Sequence, residues 1–345
     1  MPKSYLRRSS SLKVATVWML SNFFWTFYSG KSRLASFLGI DDPRVKTRLW
    51  QNPNMVSSVG RLTVVGAGLM GHGIAQVAAQ VAGYEVSLLD VKPEFVERGM
   101  AMIKDSLSKF ASKGEITAEH AKQTISRIHP TTNLEEAIKG SRLIIEAATE
   151  DPELKLDLLR RLSEIAEKDA VIASNTSSIS ITLLGSVTKN PANVVGMHFF
   201  NPPQLMPLIE IVRGAKTSDE TVKLIRDAAV SMKKETVLCK KDSPGFIVNR
   251  ILVPALNEAI SLVDEGVADP EDIDKAIKLG LNWPMGPLRL LDYVGLDTAL
   301  NIIQVFMEEF QDSKYRPSPL LKQMVRAGQL GRKSGRGFYD WGSTK

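Results

Sequence analysis

The 345-residue chain has four histidines, and only His198 stands where its neighbours suggest proton chemistry. It ends an apolar run, Val194-Val-Gly-Met-His-Phe-Phe-Asn201-Pro202-Pro203, and Glu210 follows twelve residues later inside a second one, Leu208-Ile-Glu-Ile-Val. A carboxylate among strand residues is costly to bury unless paired. An imidazole is a suitable partner, and the two together make a general base whose tautomer and basicity the carboxylate sets. On residues alone, a histidine kept for structure is the equal alternative. His72 opens a small-residue helix, where packing or solvation is expected. His120 lies in a polar helical segment and His129 precedes Pro130 in a loop, so surface positions are expected for both.

A pair of this kind must be positioned by strand ends, and the sequence supplies them. Leu62-Thr-Val-Val is a short β-branched strand that runs into Gly66-Ala67-Gly68-Leu69-Met70-Gly71, then into a small-residue helix ending near Gly83. A second strand, Tyr84 to Asp90, places a carboxylate 22 positions after Gly68. GxGxxG alone is weak, but this strand–turn–helix–strand spacing is that of a dinucleotide-binding unit. Gly66 permits the tight turn, Gly68 lets the backbone approach a pyrophosphate, and Gly71 lets helix and strand pack closely. The helix N-terminus then faces the phosphates. Asp90 would bind the adenosine ribose and repel a 2′-phosphate, which favours NAD over NADP.

Helices are expected over Pro93 to Ser112, Ala118 to Arg127, Pro152 to Lys168 and Asp219 to Lys234. Strands are expected over Arg142 to Ala148, Ala170 to Asn175, Val194 to Phe200 and Thr236 to Lys240. Such alternation implies an α/β fold, a Rossmann-like, mostly parallel sheet covered on both faces. Ligands of such sheets gather at the carboxyl ends of the strands. There stand Glu146 and Glu150, then Ser174-Asn-Thr-Ser177-Ser178, then His198 to Pro203. After Asp242-Ser-Pro-Gly245 the pattern turns helical, with Phe246, Arg250, Val253, Leu256, Ile260 and Val263 at helical spacing. Further helices are expected over Pro270 to Leu279 and Leu296 to Phe310, separated by the turn-rich Asn282-Trp-Pro-Met-Gly-Pro287. The expected organisation is a leader over 1–59, a dinucleotide domain over 60–242 and an all-helical domain over 243–345. The broad apolar faces of the last suit a homodimer surface.

The net charge of +6 first suggests a nucleic-acid partner, but it is unevenly placed. Residues 1–60 hold nine basic side chains against Asp41 and Asp42, and the rest of the chain is near neutral at −1. A nucleic-acid partner is therefore not expected. The Arg-, Lys- and Ser-rich leader, with aromatic Val14 to Gly30, has the composition of a mitochondrial transit peptide. At 17 residues interrupted by Thr16, Ser21, Asn22, Thr26 and Ser29, that stretch is short for a membrane span, so stable insertion is not expected. A secretory leader and a misassigned start are the alternatives. A single cysteine, Cys239, permits no internal disulfide and favours a reducing compartment such as the mitochondrial matrix. No motif calls for a metal.

Several motifs in order, from Gly66-Ala-Gly-Leu-Met-Gly71 through Ala173-Ser-Asn-Thr-Ser-Ser178, His198-Phe-Phe-Asn-Pro202 and Asp242-Ser-Pro-Gly-Phe-Ile-Val-Asn-Arg250 to Pro284-Met-Gly-Pro287, Leu291-Asp-Tyr-Val-Gly-Leu-Asp297 and Gly335-Arg-Gly-Phe-Tyr339, carry a resemblance. Over residues 60–341 the chain resembles the L-3-hydroxyacyl-CoA dehydrogenases, the NAD-dependent enzymes of fatty-acid β-oxidation. The resemblance implies oxidation of (S)-3-hydroxyacyl-CoA to 3-oxoacyl-CoA, with His198 as the base and Glu210 holding its imidazole. It implies Ser177 and Asn201 near the reacting carbon and nicotinamide, and Asn249 completing the site. It implies Glu150, Lys155 and Lys333 along the nicotinamide half of the cofactor site, and Ser106 and Lys113 on coenzyme A. Ser177 counts toward cofactor and substrate alike. His72 departs from the family in standing where small residues are usual, so crowding beside the pyrophosphate is expected. Other readings are a dehydrogenase of a free hydroxy acid or sugar acid on the same scaffold, and a non-catalytic NAD-binding structural protein.

Overall fold

A computed structural model describes the chain from Gly60 to Gly342, so the leader expectation lies outside the described residues. The described chain forms two compact units that meet in sequence after Arg250.

The first unit is built on eight strands: β1 (Arg61–Val65), β2 (Glu85–Leu89), β3 (Ile128–Thr131), β4 (Leu143–Glu146), β5 (Val171–Ser174), β6 (Val194–Phe199), β7 (Leu208–Arg213) and β8 (Glu235–Cys239). Their order across the sheet is β3-β2-β1-β4-β5-β6-β7-β8. Strands β1 to β6 run parallel, and β7 turns back antiparallel to β6 with β8 parallel to it. The central strands are continuous runs of apolar residues because both faces are covered. On one face Leu62, Val64 and Val86 pack with Ile74 of α1 (Gly71–Gln80), Ile103 and Leu107 of α2 (Pro93–Ser112), and Ile225 and Ala228 of helix Asp219–Ser231. On the other, Val65, Ile144 and Ile172 pack with helices Leu134–Ile138, Pro152–Ile165 and Ile181–Ser186. In chain order α3 is Ala118–Ser126, the last three helices are α4, α5 and α6, and Asp219–Ser231 is α7.

The structure departs from the sequence reading locally. His129 and Pro130 lie in β3 and not in a loop. Proline is tolerated there because β3 is an edge strand, and His129, exposed, meets Glu85 Oε2 at 2.7 Å. His120 is half-buried, its Nε2 3.0 Å from the Gln80 carbonyl. The last helix of the unit stops at Ser231, because Lys233 takes a left-handed φ of 57°.

The second unit holds α8 (Val248–Asp264) after its first turn, α9 (Pro270–Gly280), α10 (Pro287–Val294), α11 (Leu296–Phe310) and α12 (Pro319–Arg326). Ile260, Leu288, Leu291, Leu296, Ile303, Phe306 and Leu321 form its core. Helix α10 was not anticipated; Pro287 sits in its first turn, where the missing N–H breaks no helical bond. The buried Asp292 carboxylate accepts the Phe338 and Tyr339 backbone N–H groups at 2.9 Å and the Trp341 indole N–H at 2.8 Å, which ties the C-terminal segment to α10. Among the described residues, no single helix is long and apolar enough to cross a membrane.

Candidate active site

The carboxyl ends of β1, β4, β5 and β6 lie along one edge of the sheet, because these strands are parallel neighbours. After β1 the chain turns at Gly66, with φ of 106° and its N–H donated to Leu89 O at 2.7 Å. A Cβ at Gly66 would lie 2.5 Å from Ala147 O, and one at Gly71 only 1.6 Å from Gly66 O, so helix α1 can pass over the turn only on glycine. A Cβ at Gly68 would meet nothing within 4 Å, and that residue is exposed, so the backbone here is open to a ligand. Ala67, Leu69 and Met70 complete the loop, with Ala67 buried and the other two half-buried.

Asp90, at the end of β2, accepts the Ala67 N–H on Oδ2 at 2.8 Å and the Val91 N–H on Oδ1 at 2.7 Å. Each oxygen retains a lone pair for a ribose hydroxyl. Helices α3, α4, α5 and α7 begin on side-chain caps from Thr117, Asn133, Asp151 and Ser218. Helix α1 has no side-chain cap and no acidic residue in its first turn. Its N-terminal N–H groups and dipole suit a pyrophosphate, so the residues present fit the dinucleotide.

His72 is buried rather than projecting from that turn. Its Nδ1 is 2.8 Å from the Gly68 carbonyl, so this nitrogen carries the proton. Burial pushes its pKa below the ordinary imidazole value, with the Gly68 carbonyl acting the other way.

At the ends of β4 and β5 the charged groups are stacked. Glu146, fully buried, accepts Lys155 Nζ at 2.6 Å and the Ala148 N–H at 2.7 Å on one oxygen, and the Ser174 hydroxyl at 2.5 Å on the other. The buried Lys155 ammonium then meets Glu150 Oε2 at 3.2 Å. Glu150 Oε1 accepts from the Thr176 hydroxyl at 2.5 Å, the Ser177 N–H at 2.9 Å and the Ser178 hydroxyl at 3.1 Å. Burial raises the Glu150 carboxyl, but Lys155, Thr176 and Ser177 outweigh it and the net shift is downward. Lys155 thus supports Glu150 from below, and Glu150 shapes the Ser177 loop. Glu146, noted at a strand end but given no role by sequence, anchors both; its signal was a carboxylate ending an apolar strand nine residues before a lysine.

His198 and Glu210 are direct partners across the antiparallel β6–β7 pair, with Nδ1 to Oε2 at 2.7 Å. The second Glu210 oxygen accepts the backbone N–H groups of Ile247 at 3.1 Å and Val248 at 2.9 Å, where α8 begins. Phe200 and Phe246 lie against the imidazole, with ring centroids at 4.7 and 5.5 Å. With Nδ1 donating to the carboxylate, a neutral His198 presents the Nε2 lone pair outward, as a proton acceptor requires. Asn249 is half-buried, one residue beyond Val248 on α8. Asn201 and Ser177 are half-buried just past the ends of β6 and β5. Ser106 and Lys113 stand seven residues apart along α2 and its cap, on the same side of the helix. Lys333, in the second unit, is ion-paired with Asp297.

An open glycine turn with a strand-end carboxylate, an uncapped helix and a carboxylate-oriented histidine defines an NAD-dependent oxidoreductase. The comparisons narrow the class. Residues 61–243 match the model of the 3-hydroxyacyl-CoA dehydrogenase NAD binding domain, and residues 245–341 that of the 3-hydroxyacyl-CoA dehydrogenase C-terminal domain. A probable 3-hydroxybutyryl-CoA dehydrogenase of Deinococcus radiodurans is 50% identical over 278 residues, 81% of this chain and 99% of that one. The mitochondrial hydroxyacyl-coenzyme A dehydrogenase of Homo sapiens is 40% identical over 289 residues, 82% of this chain and 91% of that one. The crystal structure of (S)-3-hydroxybutyryl-CoA dehydrogenase from Ralstonia eutropha superposes with a TM-score of 0.80 at 44% identity, covering 83% of this chain and all of that one. The chain belongs to the 3-hydroxyacyl-CoA dehydrogenase family.

Proposed function

We propose that the protein oxidises (S)-3-hydroxyacyl-CoA to 3-oxoacyl-CoA with NAD, as a step of fatty-acid β-oxidation. The observation that carries this reading is the His198 Nδ1 to Glu210 Oε2 bond at 2.7 Å, on the same sheet edge as the open Gly66–Gly71 turn. His198 Nε2 takes the proton of the 3-hydroxyl as the C3–O bond becomes a carbonyl. The imidazolium that forms is stabilised by Glu210, which the Ile247 and Val248 N–H groups hold in place. NAD supplies the hydride acceptor. Asp90 and the Gly66–Gly71 loop would hold its adenosine and pyrophosphate, and Glu150, backed by Lys155, and Asn201 would serve the nicotinamide half. Ser177 and Asn249 face the reacting carbon, and Ser106 and Lys113 meet the coenzyme A phosphates, where a hydroxyl donor and a cation are suited to phosphate oxygens.

The test is acetoacetyl-CoA reduction followed by NADH absorbance. His198→Gln is expected to lower turnover by about 10²–10⁴-fold while NADH still binds, the range of general acid–base catalysis. Undiminished turnover would overturn the assignment of the base.

The reading extends to a matrix enzyme with a transit leader over 1–59, a cofactor domain over 60–242 and a helical domain over 243–345 through which it dimerises. The basic leader composition and a named mitochondrial relative support the first. Exposed Ile251, Val267, Leu279 and Leu281 in the helical unit support the last. Failure of isolated mitochondria to import and shorten the full chain, or a monomeric mass by light scattering, would refute them respectively.

A further inference from the structure

Lys234 is a buried cation, 7% exposed, with no carboxylate in ion-pair contact among the described residues. It lies in the turn between α7 and β8, and its Nζ donates to two backbone carbonyls, Pro203 O at 2.6 Å and Met206 O at 2.7 Å. Burial pushes its ammonium down to about 8. A buried charge facing only neutral carbonyls is an expensive way to fill space, so its geometry is the informative part. Both carbonyls belong to the connection between β6 and β7, the strands that carry His198 and Glu210. That connection starts with Asn201. It is further fixed by Leu205 and Met206 N–H groups donated to Pro202 O, both at 3.0 Å, and by Gln204 Nε2 donated to Gln76 Oε1 of α1 at 3.2 Å. Pro203 and Gln204 lie so close to α1 that a Cβ at Gly73 would come within 2.9 Å of both. The connection is therefore pinned on one side by the phosphate-binding helix and on the other by a lysine.

We propose that Lys234 is a positioning residue for the reaction: its ammonium gathers the Pro203 and Met206 carbonyls and so holds the β6–β7 connection in the shape that places Asn201 at the nicotinamide. This rests on the reading that Asn201 serves the nicotinamide. Without the ammonium, two carbonyls of a half-buried loop lose their donor, and the loop relaxes at its Asn201 end while the His198–Glu210 pair stays fixed by strand pairing. Misplacement by about 1 Å at a site of this kind costs up to ~10²-fold.

A double-mutant cycle in acetoacetyl-CoA reduction, read as kcat and KM for NADH, tests the coupling. Lys234→Met and Asn201→Ala are each expected to lower kcat/KM for NADH by about 10–100-fold. In the Asn201→Ala background, Lys234→Met should change it by no more than about twofold, because the residue it positions is gone. Additive losses would overturn the proposal, as would a Lys234→Met enzyme that melts earlier but keeps wild-type kcat and KM at 25 °C, since that is a purely structural lysine. An Asn201→Ala enzyme with wild-type kinetics would refute the Asn201 reading itself, and the positioning role with it. Should Lys234→Met fail to fold, Lys234→Gln, whose amide can still donate to one carbonyl, carries the same cycle.

Discussion

Glu210 in the first unit and Asp292 in the second are built alike. Each carboxylate is buried, and each accepts two consecutive backbone N–H groups: Ile247 and Val248 for Glu210, Phe338 and Tyr339 for Asp292. Asp274 repeats the device on Leu288 and Arg289. The three differ in their remaining partner, which is an imidazole for Glu210, an indole N–H for Asp292 and a phenol for Asp274. Indole gives up no proton in the physiological range, and burial together with Asp274 pushes the Tyr339 phenol further out of reach. Imidazole does exchange protons there. A carboxylate that gathers backbone N–H groups is thus a fastening device common to both units, and in the first its other oxygen meets a side chain able to exchange protons.

Amide substitutions break this comparison most sharply. In Glu210→Gln the carbonyl oxygen can keep Ile247 and Val248, which leaves the amide N–H₂ facing Nδ1. The histidine proton is then forced onto Nε2, and the outward lone pair on which the proposed base depends is lost. Turnover should fall by about 10²–10⁴-fold with little change in melting temperature. In Asp292→Asn one side of the amide must present donors to the donors of Phe338, or of Tyr339 and Trp341. One or two buried N–H groups lose their acceptor, at roughly 1–3 kcal/mol each, and the protein should melt earlier while kcat of the folded enzyme stays within about threefold. Thermal denaturation and NADH-coupled turnover on the same two samples check both. If the two variants lost activity and stability in the same proportion, the side-chain partner of each carboxylate would not be what separates the two sites.

The sequence carried much of the first unit and less of the second. The Gly66–Gly71 turn and Asp90 were legible because their chemistry is written in local spacing. His198 and Glu210 were legible because each interrupts an apolar strand, and antiparallel pairing brings such interruptions opposite one another. Strand β3 was obscured by Pro130, which reads as a breaker until the strand is known to be an edge. Helix α10 was hidden because Asn282 to Pro287 reads as turn, and a proline that ends one pattern also begins the next. Lys234 read as the last residue of a helix. Its separation from that helix depends on a left-handed residue at Lys233, and its partners lie 28 and 31 residues away. Contacts that depend on where one element meets another, such as Lys234 on Pro203 or Asp292 on Trp341, are not encoded in any local period.

The smallest expected effect belongs to His72, a buried histidine that the comparison places on the structural side, since among the described residues its imidazole meets the Gly68 carbonyl and not a carboxylate. Burial lowers its pKa in the folded state below the ordinary value near 6.5. As pH falls through that value the unfolded chain takes up a proton that the folded chain still refuses, so stability declines until the folded pKa is passed. The contribution is therefore complete above about pH 6.5 and lost below it. His72→Gln removes the titration and leaves the remaining acid-sensitive groups in place, so the melting temperature of the wild type minus that of the variant should shrink between pH 7 and pH 5. At roughly 2–4 °C per kcal/mol for a protein of this size, the change is a few degrees at most. A gap that stayed constant or widened as the pH fell would show that His72 is not held neutral against Gly68.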